Sequence, residues 1–185
     1  LAHKTGAPII GLLDSAGLRL QEGTDALNAF ASIYAKEAEA SGVIPQIAAV
    51  FGNCGGGLAV AAGMADFAFM ADDAKLFVNS PNALAGNSED KKDTAAAGFK
   101  AEAGAVDAHG TEEEVLAKIR ALVSILPSNN EDEAAEECED DLNRASANVA
   151  AGIADPAVAA ADLSDGNLFV ETRAEYAKEM ATGFI

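Results

Sequence analysis

Two apolar runs near the start of the chain predict strands that are buried on both faces. The first runs from Ala7 to Asp14, and the second runs from Ile44 to Phe51. Runs of this length without polar alternation are typical of strands covered by helices on both sides. Shorter apolar segments from Asp66 to Met70 and from Lys75 to Val78 predict two further strands.

Between these runs, apolar residues recur at the three- and four-residue spacing of amphipathic helices. Thr24 is predicted to cap a helix that continues to about Ala40 and stops at Ser41-Gly42. Its apolar face consists of Leu27, Phe30, Ala31, Tyr34 and Ala38. A short apolar helix is predicted from Leu58 to Met64. Strands that alternate with helices in this way indicate an α/β fold with a parallel sheet and right-handed crossovers.

The next part of the chain contains one long predicted helix. The stretch from Asn82 to Gly110 favours short helices and loops, because its apolar residues are scattered. Thr111 and Glu114 have the spacing of a capping box and open a helix that Pro127 ends. The apolar stripe of that helix is Val115, Leu116, Ile119, Leu122, Val123 and Leu126.

The C-terminal third predicts an acidic connector followed by small elements. Eight of the eleven residues from 131 to 141 are acidic, which indicates a solvated segment. An Ala-rich helix is expected after Asp155-Pro156, a strand from Asn167 to Glu171 and a helix from Thr172 to Met180. This part has too small a core to stand alone, so we expect it to lean on segments outside the chain. The predicted division is a domain over residues 1–128, a connector over 129–154 and the beginning of a second domain over 155–185.

The charge of the chain excludes several classes of function. The formal net charge is −18, which argues against binding to nucleic acid or to an anionic membrane surface. The two cysteines, Cys54 and Cys138, cannot form a disulfide framework, and no metal-binding spacing accompanies them. No signal peptide and no membrane-spanning run is visible, so a cytoplasmic protein without a metal is expected. An anionic substrate would need local basic residues against this field.

The glycine-rich segment from Gly52 to Gly57 is the first candidate for chemistry. It lies between a predicted strand and a predicted helix, where glycines let backbone N–H groups approach a ligand. A pair of such groups can hold the oxygen of an enolate or a tetrahedral intermediate. Two other interpretations remain open on the glycines alone: a phosphate cradle, although Walker and dinucleotide spacings are missing, and a plain tight turn.

The loop from Asp14 to Gly23 is the second candidate, because ligands collect at the carboxyl ends of parallel strands. Ser15 is not in a nucleophile-elbow motif, which argues against a serine hydrolase. Arg19 either neutralises a ligand phosphate or carboxylate, or pairs with Glu22 across the loop.

Several segments of the chain, taken in order, resemble the carboxyltransferase subunits of biotin-dependent acyl-CoA carboxylases and decarboxylases. The segments are DSAGLRLQEG, GVIPQIAAVFGNCGGGLAVAAGMADFAFM, KLFVNSP, LPSNNEDEAAEECEDDLNR and FVETRAEYAKEMATGF. The resemblance implies a crotonase-like ββα spiral, as in propionyl-CoA carboxylase β-subunits and methylmalonyl- or glutaconyl-CoA decarboxylase α-subunits. The chain would hold most of the N-terminal carboxyltransferase domain, without its first strands, and the entry to the next, so that it looks truncated at both ends.

The same resemblance implies a mechanism and assigns roles to residues. Gly56 and Gly57 would be the catalytic N–H donors that stabilise the enolate of an acyl-CoA thioester. Substrate-binding residues would be Ser15, Ala16, Gly17, Arg19 and Gly55. The cofactor would be biotin, carried on a separate carrier protein or domain, and it would accept the α-proton so that no side-chain base is needed. Implied partners are the carrier, biotin carboxylase or decarboxylase subunits and further copies of the chain, from dimer to hexamer.

Departures from the family's pattern keep two alternatives open. Residues 97–102 replace a family segment that ends in histidine, and only His109 matches the second histidine of that region. The chain could therefore be a non-catalytic assembly subunit with the same fold. A crotonase-type hydratase or isomerase would need an acidic side chain near the glycine turn, for which Asp66 and Glu22 are the candidates. His109 is interpreted as structural, and Cys54 as a small buried residue rather than a nucleophile.

Overall fold

A computed structural model of the chain describes residues 1–15, 17–80, 92–133, 140–141 and 143–185. Within these residues the helices are α1 (Ala2–Thr5), α2 (Thr24–Ala40), α3 (Gly57–Met64), α4 (Ala97–Glu102), α5 (Glu112–Ile125), α6 (Ala147–Ala150) and α7 (Pro156–Leu163). The strands are β1 (Ile9–Leu13), β2 (Gln46–Val50), β3 (Asn53–Gly55), β4 (Phe67–Ala71), β5 (Lys75–Phe77), β6 (Ala108–Gly110), β7 (Val170–Thr172) and β8 (Thr182–Phe184).

The main sheet is parallel and has the strand order β1-β2-β4-β6. All five residues of β2, including the polar Gln46, are buried, as expected for this apolar run. On one face Ile47 and Phe69 pack against Ile119 of α5, and on the other face Val50 and Met70 pack with the alanines of α3. The predicted α/β fold with a parallel sheet is confirmed.

A second, two-stranded parallel sheet lies directly beyond the carboxyl ends of β2 and β4. In it β3 pairs with β5, in the register Asn53 to Lys75 and Gly55 to Phe77. The predicted turn from Gly52 to Gly57 therefore contains a short strand, which glycine content alone conceals. This small sheet carries the chain from β2 into α3.

The first strand corrects one prediction, because β1 is not buried on both faces. Ile9 is 47% exposed and Leu12 is 61% exposed. The physical reason is position: β1 lies at the edge of the sheet, and no other strand of the described residues pairs with its outer side. The apolar run correctly predicts a strand, but not the number of its neighbours.

The two long helices show which capping signals were right. Thr111 accepts a hydrogen bond from the Glu114 amide, and the Glu114 carboxylate accepts one from the Thr111 amide, so the predicted capping box is confirmed. Thr24 is not the cap of α2, since Gly23 occupies that position and no side chain caps the helix. The apolar face of α2 is also less buried than expected, and Leu27 is 60% exposed.

The C-terminal segment differs most from its prediction. The predicted helix from Thr172 to Met180 is wrong, because Thr172 belongs to β7, which pairs with β8 in antiparallel register. The amide of Arg173 donates to the Asp107 carbonyl at 2.7 Å with a φ of 55°, a bend that no helix accommodates. Val170 lies in the same core as α5, so this segment leans on the chain's own sheet. The division into domains stays a prediction.

Candidate functional site

A cavity of about 670 Å³ lies where the carboxyl ends of β1 and β2 meet the start of α3. One wall is the exposed apolar face of α2, which explains why that face is not packed into the core. No charged side chain of the described residues lines the cavity. The lining consists of Ser15, Gly17, Leu18, Leu27, Phe30, Ala31, Tyr34, Asn53, Gly55, Gly56, Gly57 and Phe77.

The loop after β1 is tied to the small sheet by hydrogen bonds. The Ser15 amide donates to the Asn53 carbonyl at 2.7 Å, and the Asn53 amide donates to Asp14 Oδ1 at 3.1 Å. The Ser15 hydroxyl accepts a bond from the Gly17 amide at 3.0 Å, which shapes the loop. Predicted site residues Ser15, Gly17 and Gly55 thus lie together in the cavity wall, whereas Ala16 lies outside the described residues.

Gly56 shapes the turn in a way that only glycine accommodates well. Its φ is +61° and its ψ is −128°, and it is the N-cap residue of α3. Its amide donates to the Phe77 carbonyl at 3.0 Å and so completes the pairing of the small sheet. This bond is at odds with the expectation that Gly56 offers its N–H group to a ligand.

The next two amides of the turn are differently placed. Among the described residues, the N–H groups of Gly57 and Leu58 donate to no hydrogen-bond acceptor, whereas the Ala59 amide already bonds the Gly56 carbonyl. Amides in the first turn of a helix point back along the helix axis, which here begins at the cavity. Leu58 was missed by sequence reasoning, although its place one residue inside the helix start was a usable signal.

Tyr34 is a second residue of the site that the sequence did not single out. Its hydroxyl donates to the Gly57 carbonyl at 2.7 Å, and its ring stacks with Phe30 at a centroid distance of 6.2 Å. Sequence analysis placed Tyr34 only on the apolar face of α2. The usable signal was a hydroxyl group in the middle of an otherwise apolar helix face.

Arg19 lies in the loop that follows β1, but it is not among the residues that line the cavity. It pairs with Glu22 at 3.4 Å, and its side chain is 83% exposed. Both predicted roles remain possible for it, since an exposed ion pair of this kind exchanges readily with a ligand anion. Cys54 is fully buried, and burial raises the pKa of its thiol to about 11, which fits a packing residue rather than a nucleophile.

His109 lies in the middle of β6 and not in the cavity lining. Its Nδ1 is 2.6 Å from Asp72 Oδ1, and its Nε2 is 3.0 Å from Glu175 Oε1. The hydrogen bond with Asp72 and the negative charge of Glu175 raise the pKa of His109 above its ordinary value. With both ring nitrogens engaged, His109 joins β6 to the C-terminal segment and has a structural role in these residues.

The acidic candidates for a hydratase-type base are poorly placed. Asp66 accepts a hydrogen bond from the Gln46 amide at 2.8 Å, at the amino end of β2, whereas the glycine turn follows its carboxyl end. Five residues of extended strand separate them, about 16 Å. Glu22 is engaged with Arg19. Neither carboxylate is among the residues that line the cavity.

The described residues contain neither a cluster suited to a metal ion nor a helix suited to span a membrane. No group of three or more His, Cys, Asp or Glu side chains there could hold a metal ion. None of the helices in that part of the chain has the length and apolar character needed to cross a bilayer.

Comparison with known sequences gives consistent matches. The family model described as "Carboxyl transferase domain" matches residues 1–185. The α-subunit of methylmalonyl-CoA decarboxylase from Propionigenium modestum is 36% identical over 77% of this chain and 29% of its own length. The propionyl-CoA carboxylase β chain of Roseobacter denitrificans is 32% identical over 100% of this chain and 39% of its own length. The chain thus spans well under half the length of these relatives.

Comparison with solved structures supports the fold. Transcarboxylase 12S, solved as a hexamer with methylmalonyl-coenzyme A bound, matches 98% of this chain with a TM-score of 0.84 and 26% identity. A Pseudomonas malonate decarboxylase MdcD-MdcE heterodimer matches 59% of this chain with a TM-score of 0.52 and 25% identity. The expected crotonase-like fold of carboxyltransferases is confirmed by these matches. Each matched chain is longer, and this chain covers 38% and 49% of them.

Proposed function

Because this chain belongs to the carboxyl transferase domain family, we propose that it supplies the acyl-CoA half of a biotin-dependent carboxyltransferase or decarboxylase site. In that role it holds a short acyl-CoA while a carboxyl group moves between biotin and the α-carbon. The relatives named for propionyl-CoA and methylmalonyl-CoA, and the transcarboxylase solved with methylmalonyl-coenzyme A, support a short acyl chain.

The observation that carries the proposal is the pair of unengaged amides at the start of α3. Gly57 lines an uncharged, largely apolar cavity, Leu58 is the next residue of the helix, and the N–H groups of both lack an acceptor among the described residues. In such surroundings a developing negative oxygen is stabilised more strongly than in water, and one such donor is worth about 3–4 kcal/mol of barrier lowering. We assign the oxyanion site to Gly57 and Leu58, with Gly56 and Gly55 shaping the turn.

The chemistry that this arrangement favours is enolate formation on a thioester. As the α-carbon gains electron density, negative charge moves to the thioester oxygen, where the two amides hold it. The apolar face of α2, with Phe30 and Leu27, limits water around that oxygen. No carboxylate or imidazole lines the described cavity, which is consistent with a reaction that takes no proton to a side chain of this half.

In the proposed reaction carboxybiotin would exchange the carboxyl group with the acyl-CoA, and the described residues fit it poorly. One pair of adjacent amides serves one oxygen, and the thioester occupies it. We therefore infer that biotin's own carbonyl is held by a part of the enzyme outside this chain. The described half of the site binds the acceptor, orients it and leaves one side of the cavity open.

The assembly that this requires is also a proposal. We propose that the chain works with a biotin carboxyl carrier, with biotin carboxylase or decarboxylase subunits and with further copies of itself. Hexameric transcarboxylase and heteromeric malonate decarboxylase among the structural matches support an oligomer. A net charge of −18 and the scarcity of cysteine favour a cytoplasmic location.

The test has a binding arm and a turnover arm. Calorimetry with propionyl-CoA, against free CoA as the control, should show tighter binding of the thioester. With the full-length protein, its carrier and carboxylase partner, label from bicarbonate should appear in the acyl-CoA. Absence of both binding and transfer would refute the proposal and favour an assembly subunit. Hydration of an enoyl-CoA without biotin would instead favour the hydratase class.

A further inference from the structure

The hydrogen bond between Tyr34 and Gly57 connects two elements at the proposed oxyanion turn. Tyr34 lies in the middle of α2, and its hydroxyl reaches the carbonyl of the first residue of α3 at 2.7 Å. The side chain is half-buried, and the bond spans 23 residues of sequence. Because Gly57 and Tyr34 both line the cavity, this bond lies in the wall of the site itself.

The Gly57 carbonyl belongs to the same peptide unit as the Leu58 amide. In a trans peptide the C=O and N–H bonds are coplanar and point in opposite directions, and no cis peptide occurs among the described residues. A donor that fixes the direction of the Gly57 oxygen therefore also fixes the direction of the Leu58 N–H group. Hydrogen bonding to the oxygen further polarises the peptide and strengthens its N–H group as a donor.

We propose that Tyr34 is a positioning residue for carboxyl transfer, which it assists by aiming and polarising the Leu58 amide. The inference rests on the proposed function of the turn. Tyr34 acts through the peptide and not on the reacting atoms. Its contribution is realised when charge develops on the thioester oxygen, so it belongs to turnover more than to ground-state binding.

The local packing shows that the contact is built from both sides. A Cβ atom at position 57 would lie 2.9 Å from the Tyr34 hydroxyl and 3.0 Å from the Phe30 ring. Glycine at this position is therefore what lets α2 approach the turn closely enough for the bond to form. Stacking on Phe30 holds the Tyr34 ring in place.

The test compares two tyrosine variants of the full-length enzyme in its complex. Tyr34→Phe removes one hydroxyl and keeps the ring, and Tyr176→Phe is the matched control, at an exposed tyrosine remote from the cavity lining. We expect Tyr34→Phe to lower kcat about fivefold, the effect of losing one neutral hydrogen bond, with KM within about twofold. Tyr176→Phe should leave both parameters unchanged.

A second readout does not depend on turnover. In nuclear magnetic resonance spectra, Tyr34→Phe should shift the carbonyl ¹³C signal of Gly57 upfield and move the Leu58 amide signal, whereas Tyr176→Phe should not. If those signals stay in place, or if kcat of Tyr34→Phe equals that of the control, the inference is overturned. A rise in KM with unchanged kcat would also overturn the inference, because it would show that Tyr34 only contributes to substrate binding as part of the cavity wall. If the wild-type enzyme transfers no carboxyl group, the proposed function fails, and the spectra still decide whether Tyr34 orients the peptide.

Discussion

Two regions of the molecule hold their parts together by opposite means. The glycine turn and the cavity beside it depend on backbone amides and carbonyls, with uncharged side chains around them. The C-terminal segment is held by what we call the ionic clasp: His109 with Asp72 and Glu175, and Arg173 with Asp107. The first region contains no acidic or basic group in its described lining, whereas every member of the second titrates or carries a charge.

From this difference we can predict which perturbations should affect each region. Peptide groups keep their hydrogen-bonding capacity at any ordinary pH, so the turn should respond to shape and hardly to pH. The clasp should respond to pH and salt, because all its members except the buried Asp107 are partly exposed titratable or charged groups. Substitutions made separately in the turn and in the clasp are the sharpest way to test this comparison.

The largest effect is expected at the glycine turn. Gly57→Ala places a methyl group 2.9 Å from the Tyr34 hydroxyl and 3.0 Å from the Phe30 ring, so either the turn with its free amides or these two side chains must shift. We expect kcat/KM for carboxyl transfer to fall about 10²-fold or more, as when an oxyanion donor is lost. Gly63→Ala is the matched control in the same helix, because a Cβ there meets nothing within 4 Å. Equal losses in both variants would show that α3 matters only for stability.

The next effect is expected in the clasp. Asp107 is buried, and it accepts hydrogen bonds from the Ala68 amide at 2.8 Å and from Arg173 Nε at 3.2 Å. Asp107→Ala leaves the buried Ala68 amide without this acceptor, so the free energy of unfolding should fall by about 2 kcal/mol in urea titrations. Asp73→Ala, at an exposed carboxylate, should change it by less than about 0.5 kcal/mol. If the two variants lose a similar free energy of unfolding, Asp107 does not contribute to the stability of the clasp.

A smaller effect is expected from pH. The pKa of His109 is raised in the folded state, first by its hydrogen bond with Asp72. Its stabilisation is therefore complete below the unfolded value of about 6.5 and is lost as pH rises through the higher folded value. Solvent screening should keep the loss below about 1 kcal/mol. Thermal unfolding between pH 6 and 9 should show this slope, and His109→Gln should abolish it. A slope that persists in His109→Gln would assign it to other groups.

The smallest effect on stability is expected at Arg19. The exposed pair with Glu22 should contribute less than about 0.5 kcal/mol, so Arg19→Ala should unfold at nearly the wild-type urea concentration. If Arg19 meets an anionic part of CoA, the same variant should bind acyl-CoA several-fold more weakly at low salt. Glu22→Gln, which frees Arg19, should bind slightly more tightly. If neither variant changes the affinity for acyl-CoA, the role of Arg19 is limited to its ion pair with Glu22.

Hydrophobic patterning predicted much of the fold, and the failures have physical causes. The runs at β2 and β4 and the capping box of α5 were right, because burial and capping depend on residues close in sequence. The exposure of β1 depends on which strands lie beside it, and the sequence of β1 does not specify those neighbours. The helix predicted over residues 172–180 failed because Arg173 bends to reach Asp107, a contact 66 residues away.

The glycine turn could be located from the sequence, but the choice of its free amides could not, for a related reason. Glycine content marked the turn, but which amide remains free depends on the pairing of Gly56 with the Phe77 carbonyl. Sequence spacing gives no sign of that bond, because it joins the residue after β3 to β5, and both strands are only three residues long. The role of Tyr34 was invisible for the same reason, since a helical stripe indicates a face and not its neighbour.

The open edge of β1 has a practical consequence for handling the chain in solution. In a parallel pair, alternate residues of an edge strand turn their backbone groups away from the partner, here Ile10 and Leu12. Such an edge invites pairing between copies, and mutual repulsion at a net charge of −18 opposes it. Added salt shortens the reach of that repulsion from about 30 Å at 0.01 M to about 3 Å at 1 M. High-salt buffers, which usually protect acidic proteins, should here promote aggregation.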